Sequence, residues 1–280
     1  MKNLKFYTGL FLTLTAISAT PVSISANDKP GDLHFGSIAM DIPAIMHRRL
    51  LPLTEYLSEK LKTKVRLKLS PNMSKAINAV STNDVQIAYL TPVAYLKARE
   101  AGQAHILVKT VTNKRSTFQL CIVVRKDSPI KKVSDLAGKS FAFGDKAALL
   151  QRAVVVDAGM PLKKLGNYKF IGHYDNIVRG VLNGDFEAGI LKDTKALKWK
   201  SKGVRILYSS PHLPPYNIAA SSKLSPTQRK TIRQALLDLD IKNPKHKKVI
   251  KALSSKYDGF SETSDAEYNV VRKLIAPFVK

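Results

Sequence analysis

The sequence predicts an α/β protein with two blocks of alternating strands and helices, near residues 32–117 and 126–208. Short apolar runs alternate with segments whose apolar residues recur at helical spacing, the pattern of parallel strands with helices outside the sheet. Several of the predicted strands run directly into a helix start. The chain has 280 residues, 44% hydrophobic and 24% charged, which is enough for one large or two medium globular domains.

The first block has the order β-α-β-α-β-α-β. Residues 44–61 are predicted to form a helix because Leu50, Leu53 and Leu57 fall on one face. Thr91 is the expected cap of a later helix, with Pro92 at its first position. The predicted strands of this block cover residues 33–40, 65–69, 85–90 and 106–111, and its other helices cover residues 70–79 and 93–101. A further predicted strand, residues 118–126, leads to the second block.

The second block is organised around residues 140–151, which are predicted to form a buried strand, a tight turn and a helix that runs to about residue 157. Gly144 suits unusual dihedral angles in the turn, and Asp145 is expected to cap the helix by accepting from its free N–H groups. A helix N-terminus presents unpaired amides and a positive dipole end, so this turn is a candidate anion site. An ordinary capped strand-to-helix turn is the alternative.

Further elements follow in the same alternating order. Asp175 is expected to cap a helix over residues 176–183, and Ser225 with Pro226 to begin another. The remaining predicted elements are strands over residues 168–171, 186–191, 204–208 and 216–220, and helices over residues 131–136, 244–256 and 265–279.

Four of the predicted helices begin where a strand ends. Their starting residues are Ser70, Thr91, Gly144 with Asp145, and Tyr174 with Asp175. Ligands of open α/β sheets bind beyond the carboxyl ends of the strands. Two such sheets that face each other would bring these four helix starts to one cleft, and we expect the functional site there.

The first 26 residues are predicted to be a cleaved secretory signal peptide. Lys2 and Lys5 form its basic start, residues 10–17 its apolar core, and small residues up to Ala26 its cleavage site. A membrane anchor is the alternative, but the apolar run is short for a span. No cysteine lies near the cleavage site, so no lipid anchor is expected. The single cysteine, Cys121, lies in an apolar run and is expected to be a buried small hydrophobic residue.

Charge and motifs favour binding over catalysis. The chain has 46 lysines and arginines against 21 acidic residues, a formal net charge of +25. That charge favours anionic partners but does not choose among nucleic acid, lipid headgroups and small oxyanions. The sequence has no Gly-x-Ser-x-Gly elbow, phosphate-binding P-loop or His-Glu-x-x-His motif, and its six histidines lack short metal-ligand spacing. We therefore expect no enzyme, no metal and no cofactor.

Several motifs resemble those of one protein family over nearly all of residues 32–275. They are LPLTEYLS (51–58), VQIAYLTPVAY (85–95), RKDSPI (125–130), DLAGKSFAFGD (135–145), VLNGDFEAG (181–189) and SDAEY (264–268). In these segments the chain resembles the substrate-binding proteins of phosphate, phosphite and phosphonate ABC importers. The motifs are typical of the family but do not specify a ligand.

The resemblance implies a two-lobed type II periplasmic binding protein fold, in which each lobe is a mostly parallel sheet flanked by helices. Two crossover hinge segments, near residues 118–124 and 209–219, would join lobe 1 (residues 32–120 plus 216–280) to lobe 2 (residues 121–215). It also implies a monomeric periplasmic protein that closes around a small anionic or zwitterionic solute and delivers it to the membrane subunits of an ABC permease. No nucleic-acid partner is expected.

The ligand site implied by the resemblance departs from the family pattern in this chain. The family usually has Pro and then a Ser-Thr-Ser-Gly run after the Phe-Gly-Asp turn, whereas this chain has Lys146 and apolar residues. The candidate ligand-binding residues are Met73, Thr91, Tyr95, Asp145, Lys146, Ala147, His173, Tyr174 and Asp193. A methionine, two tyrosines and a lysine suit a mixed anionic and apolar solute better than bare phosphate. Structural roles, such as a core aromatic for Tyr95, are the alternative for each.

Two other functions stay open. The same fold could detect a solute for a membrane sensor instead of supplying a permease. The high positive charge could also serve a cationic surface or nucleic-acid binder, for which Trp199 between Lys198 and Lys200 is the sequence feature. A solvated basic face is the simpler interpretation of those lysines.

Overall fold

A computed structural model describes residues 31–37 and 43–279. The predicted signal peptide, residues 1–26, lies outside the described residues, as do residues 38–40 of the first predicted strand. The described chain forms two β-sheets with helices on both, as the alternating pattern predicts.

The first sheet has six strands in the order β11-β4-β10-β3-β1-β2. Its strands are β1 (Leu33–Ser37), β2 (Val65–Leu69), β3 (Ile87–Leu90), β4 (His105–Thr112), β10 (Asn217–Ala220) and β11 (Tyr257–Ser261). β1 pairs in parallel with β2 and β3. β10 runs antiparallel between β3 and β4, and β11 runs antiparallel to β4.

The second sheet has five strands in the order β7-β6-β8-β5-β9. Its strands are β5 (Leu120–Arg125), β6 (Ser140–Phe143), β7 (Asn167–Phe170), β8 (Ala188–Lys192) and β9 (Val204–Ser209). β6 pairs in parallel with β7 and β8. β5 runs antiparallel between β8 and β9.

Both sheets are mixed, and the reason is the same in each. Helical crossovers place successive strands in parallel, and this produces the parallel pairs that the sequence predicts. β5 and β10 instead arrive from the other sheet through short extended segments and therefore insert antiparallel. The parallel pairs are thus two of the five strand pairings in the first sheet and two of the four in the second, whereas the prediction has mostly parallel sheets.

Helices cover the sheets. They are α1 (Pro43–Leu61), α2 (Met73–Ser81), α3 (Pro92–Gly102), α4 (Leu149–Asp157), α5 (Tyr174–Asn183), α6 (Asp193–Lys200), α7 (Pro226–Leu237), α8 (Pro244–Leu253) and α9 (Asn269–Ile275). The sequence analysis missed α6 and β11. α6 has no clear apolar stripe, and β11 contains Asp258 and Gly259, which are uncommon in strands. Within the described ranges, none of the helices combines the length and the apolar character that crossing a membrane requires.

The two crossover segments pair with each other between the sheets. The Phe118 N–H donates to the Leu213 carbonyl at 3.0 Å, and the Leu213 N–H donates to the Phe118 carbonyl at 2.8 Å. One step further, the Ser210 N–H donates to the Leu120 carbonyl at 2.9 Å. The segments that join the sheets are therefore a short antiparallel pair rather than two independent linkers.

A continuous apolar core runs from the first sheet to the second, and α9 belongs to it. This short helix packs against α3, which follows β3 of the first sheet, and against α4, which follows β6 of the second. Val271, Leu274 and Ile275 are its buried residues. The C-terminal segment therefore ties the helices of the two sheets together at a third place.

An ionic network anchors this C-terminal segment. The buried Tyr95 hydroxyl donates to Asp265 at 2.6 Å, and Arg272 donates to both carboxylate oxygens at 2.7 and 2.9 Å. Arg99 from α3 approaches the same carboxylate at 3.1 Å. Partial burial acts to raise the pKa of Asp265, but the hydrogen bonds from Arg272 and Tyr95 outweigh it and hold the pKa below its ordinary value.

Replacement of Asp265 by Asn should destabilise the fold by about 1–2 kcal/mol at neutral pH, because the partly exposed carboxylate has charge-assisted partners on α3 and α9. Since the folded pKa is depressed, this contribution is complete above the unfolded pKa of about 3.9 and is lost as the pH falls through the folded value. Urea unfolding of both proteins over a pH series measures the difference. A difference in the free energy of unfolding that persists at the lowest pH would contradict this role of the Asp265 carboxylate.

Candidate functional site

A cavity of about 360 Å³ lies beside the paired crossover segments, between elements that belong to the two sheets. Its described walls come from the segments that follow β2, β3, β6, β7 and β8, and from both crossovers. They comprise Met73, Thr91, Pro92, Val93, Phe118, Leu120, Asp145, Ala147, Ala148, Leu149, Leu150, Gln151, Tyr174, Lys192, Pro215 and Tyr216. Strand ends from both sheets therefore meet at one place. Of the predicted helix starts, Thr91, Asp145 and Tyr174 are among the walls, and Ser70 is not.

Thr91 and Pro92 shape the wall that follows β3. The Thr91 hydroxyl oxygen accepts a hydrogen bond from the Ala94 N–H at 3.1 Å, and Pro92 occupies the first helical position. This confirms the predicted start of α3. Because Thr91, Pro92 and Val93 line the cavity, the positive dipole end of α3 forms part of its wall.

The loop between β6 and α4 differs from the prediction. Asp145 does not cap α4, because the helix begins at Leu149. The N-cap residue of α4 is Ala148, whose side chain makes no capping hydrogen bond. The Asp145 carboxylate instead accepts from the Ala147 N–H at 2.7 Å, within its own loop. Aspartate side chains readily bond the main chain two residues ahead, and here this local turn replaces the helix cap. The predicted immediate passage from turn to helix is therefore wrong by three residues, since the N-cap is Ala148 and not Asp145.

Gln151 holds this loop in place from the first turn of α4. Its side chain is buried, and its amide oxygen accepts from the Gly144 N–H at 2.8 Å. A Cβ at position 144 would lie 2.8 Å from the Gln151 amide nitrogen and 3.0 Å from the Gly172 carbonyl oxygen. Gly144 is thus required because of close packing. The φ angle of Gly144 is not positive, in contrast to the unusual dihedral angles that the prediction implied.

Tyr174 faces the cavity from the first turn of α5. Burial raises the pKa of its phenol to about 12, the hydrogen bond from the Gln151 side chain opposes the rise, and the charge of Asp193 adds to it. The phenol is therefore protonated at physiological pH. A protonated phenol can donate to an acceptor on a bound solute.

Lys192 supplies the positive charge of the described cavity wall. It ends β8 and is the N-cap residue of α6, and its ammonium group lies 4.8 Å from the centre of the Phe118 ring. Burial lowers the pKa of Lys192, and the neighbouring Asp193 partly offsets this effect. A half-buried cation against an aromatic ring is well suited to an anionic ligand group.

Five of the nine predicted ligand residues line this cavity. They are Met73, Thr91, Asp145, Ala147 and Tyr174. The other four lie elsewhere. Tyr95 is buried in the network of Asp265, and Lys146 and His173 are exposed. Asp193 is buried, and its carboxylate accepts from the Thr194 N–H at 2.7 Å.

The sequence analysis missed three polar wall residues: Gln151, Lys192 and Tyr216. Lys192 is adjacent to the predicted Asp193, and β8 extends one residue beyond the predicted end of the strand to include it. Tyr216 stacks on Tyr89 with ring centres 5.3 Å apart, a contact between β3 and the second crossover that no sequence pattern shows. In the described ranges, no group of three or more His, Cys, Asp or Glu side chains is arranged to hold a metal ion.

Replacement of Gln151 by Leu should destabilise the protein by about 1–3 kcal/mol, because it leaves the buried Gly144 N–H without its acceptor. Urea unfolding measures this loss. Gln234→Leu, at an exposed position of α7, is the matched control and should change the free energy of unfolding by less than about 0.5 kcal/mol. Equal effects of the two substitutions would show that Gln151 does not hold the loop.

Known proteins resemble this chain over almost its whole length. The probable ABC transporter phosphite binding protein PhnD1 of Prochlorococcus marinus (strain MIT 9301) is 21% identical, and the alignment covers 98% of this chain and 97% of that protein. The phosphonates-binding periplasmic protein of Escherichia coli (strain K12) is 23% identical, with 94% of this chain and 82% of that protein covered.

Solved structures give the fold. PhnD1 from Prochlorococcus marinus (MIT 9301), in complex with methylphosphonate, superposes with a TM-score of 0.70 at 19% identity, over 89% of this chain and 99% of that chain. XAC2383 from Xanthomonas citri, bound to a chloride ion, gives a TM-score of 0.74 at 20% identity, over 88% of this chain and 97% of that chain. The two-lobed type II periplasmic binding protein fold is therefore confirmed.

The family described as "ABC transporter, phosphonate, periplasmic substrate-binding protein" matches residues 35–268. This range is well over half of the chain, and it includes the described walls of the cavity. The resemblance stated from the motifs is confirmed. The chain belongs to this family of periplasmic substrate-binding proteins of phosphonate ABC transporters.

Proposed function

We propose that this chain is the exported solute-binding protein of an ABC importer and holds a small oxyanion or phosphonate-like solute in the cavity between its sheets. It binds the solute without chemical turnover and delivers it as a monomer to the membrane subunits of a permease. Residues 1–26 direct export and are removed, and no lipid anchor follows. The family and its two curated relatives, named for phosphite and phosphonates, support this proposal.

One observation carries the proposal most directly: both sheets contribute polar groups to a single cavity beside the crossovers. Thr91 and its helix start come from the first sheet, and Tyr174 and Lys192 from the second. A solute that bridges these groups would favour the state in which the two sheets approach. We propose residues 32–120 with 216–280, and residues 121–215, as the lobes that move.

Three groups of the cavity suit an anion by their chemistry. Lys192 offers a partly desolvated ammonium group, and the Tyr174 hydroxyl offers a proton. The first turn of α3 adds its positive dipole end. The wall residues Met73, Asp145 and Ala147 complete the proposed site. The net charge of +25 would speed the arrival of anions, but the cavity groups would hold them.

Isothermal titration with phosphate, phosphite, methylphosphonate and 2-aminoethylphosphonate tests the proposal. At least one of these should bind with saturable one-to-one stoichiometry, and scattering should show a more compact protein when it is bound. A protein that binds neither these anions nor longer alkylphosphonates and their monoesters would overturn the proposal, and binding of polyanions with steep salt dependence and no preference for ligand shape would favour a cationic surface binder instead.

Lys192→Met should weaken the binding of the preferred anion about 10- to 100-fold, because it removes a charge-assisted contact worth about 1.5–3 kcal/mol. Lys200→Met is the matched control, since Lys200 is exposed on the same helix and its loss changes the net charge equally. Equal loss of affinity in both variants would indicate long-range attraction instead of a contact at Lys192.

Anion affinity should also depend on pH through Lys192. The anion favours the charged lysine, so affinity is complete at neutral pH and falls as the pH rises through the pKa of Lys192, which burial places below the ordinary 10.5. The Tyr174 phenol, with a pKa of about 12, ionises later. Calorimetric titrations above neutral pH use an anionic ligand whose own charge is constant over that range. The affinity should fall with pH in the native protein and stay constant in Lys192→Met.

A further inference from the structure

We propose that the cavity selects a solute with a single negative charge joined to an apolar body, and disfavours a compact, doubly charged oxyanion. The inference rests on the proposed function of the same cavity and names the class of solute it takes. It follows from three observations: the balance of charge, the hydrogen bonds of the loop before α4, and the apolar walls.

The described walls of the cavity are nearly neutral, although the chain is strongly basic. Lys192 is the cation among the described wall residues, and Asp145 is an opposing carboxylate. Asp193, the buried residue that follows Lys192 in the chain, is a second carboxylate next to this wall, and its charge raises the pKa of both Lys192 and Tyr174. A second negative charge on the solute would thus enter a partly desolvated site without a second counterion, which is unfavourable.

The loop before α4 has already used much of its capacity to bind an oxyanion. The N–H groups of Ala147 and Ala148 donate to Asp145, to its carboxylate at 2.7 Å and its carbonyl at 2.9 Å. The N–H groups of Leu149 and Gln151 donate to the Ala147 and Ala148 carbonyls at 2.8 and 3.1 Å. A phosphoryl group with several oxygens would have to displace these bonds, so this turn does not act as a ready anion site.

Apolar side chains form most of the cavity wall, and they come from both sides. Met73 and Val93 face it from the helices of the first sheet, and Leu149 and Leu150 from α4. Phe118 adds an aromatic face from the crossover. Each methylene of a solute that leaves water for such a surface should tighten binding about fourfold. The cavity volume of about 360 Å³ leaves room for a body of several carbons next to a charged group.

Four ligands vary the charge and the size of the apolar body independently. They are methylphosphonate, hexylphosphonate and the monomethyl ester of each. They are titrated calorimetrically at a mildly alkaline pH, at which the free phosphonates carry two charges and the esters one. The hexyl ester should bind at least about tenfold more tightly than methylphosphonate, and each hexyl compound more tightly than its methyl partner. Methylphosphonate binding as tightly as the hexyl ester would overturn the inference while the proposed function stands. If none of the four binds, and phosphate and phosphite do not bind either, the proposed function itself fails.

Two variants assign the effect to the cavity. Met73→Ala should lower the preference for hexyl over methyl ligands about fivefold or more, because Met73 is a partly exposed apolar wall residue. Asp145→Asn retains an oxygen acceptor for the Ala147 N–H but removes a negative charge. It should improve the binding of the phosphonates relative to their esters severalfold. Unchanged ratios in both variants would contradict the inference, whatever the absolute affinities.

Discussion

The pairing of the two crossover segments is the constraint on which the rest of the structure depends. Two extended segments pass between the sheets, and Leu213 and Leu120 on them are buried. Buried main-chain N–H and C=O groups need partners, and here each segment supplies the partners of the other. Because the segments pair, Phe118 and Tyr216 are held at the same cavity. The cavity therefore lies beside the short region about which the sheets would move.

Charge acts at two distances in this protein, with different effects. The excess of basic residues over the whole chain attracts anions from solution, and salt screens this attraction. At the cavity wall the balance is set by a few groups: Lys192 against Asp145, with Asp193 behind it. A strongly basic chain can thus have a binding site that is nearly neutral, and the net charge gives no guide to the charge of the preferred solute.

The loop before α4 shows how local hydrogen bonds compete with helix capping. Asp145 has the chemistry of a cap, but its carboxylate bonds the nearby Ala147 N–H, and α4 begins later. Gln151 then reaches back to the Gly144 N–H, and it lines the cavity together with Tyr174, which is far away in sequence. The shape of this wall therefore depends on one buried amide that holds the loop after β6.

The sequence by itself determined the alternating elements, the parallel pairs of each sheet and the Thr91 start of α3, because apolar periodicity and capping chemistry are local properties. Its motifs also determined the family. Only the tertiary structure decided that β5 and β10 run antiparallel, since that depends on the direction from which a strand arrives. Tertiary structure likewise placed Lys192, Gln151 and Tyr216 at the cavity and Tyr95 in the core. Side chains from distant strand ends meet only when the sheets pack, and no local spacing encodes that meeting.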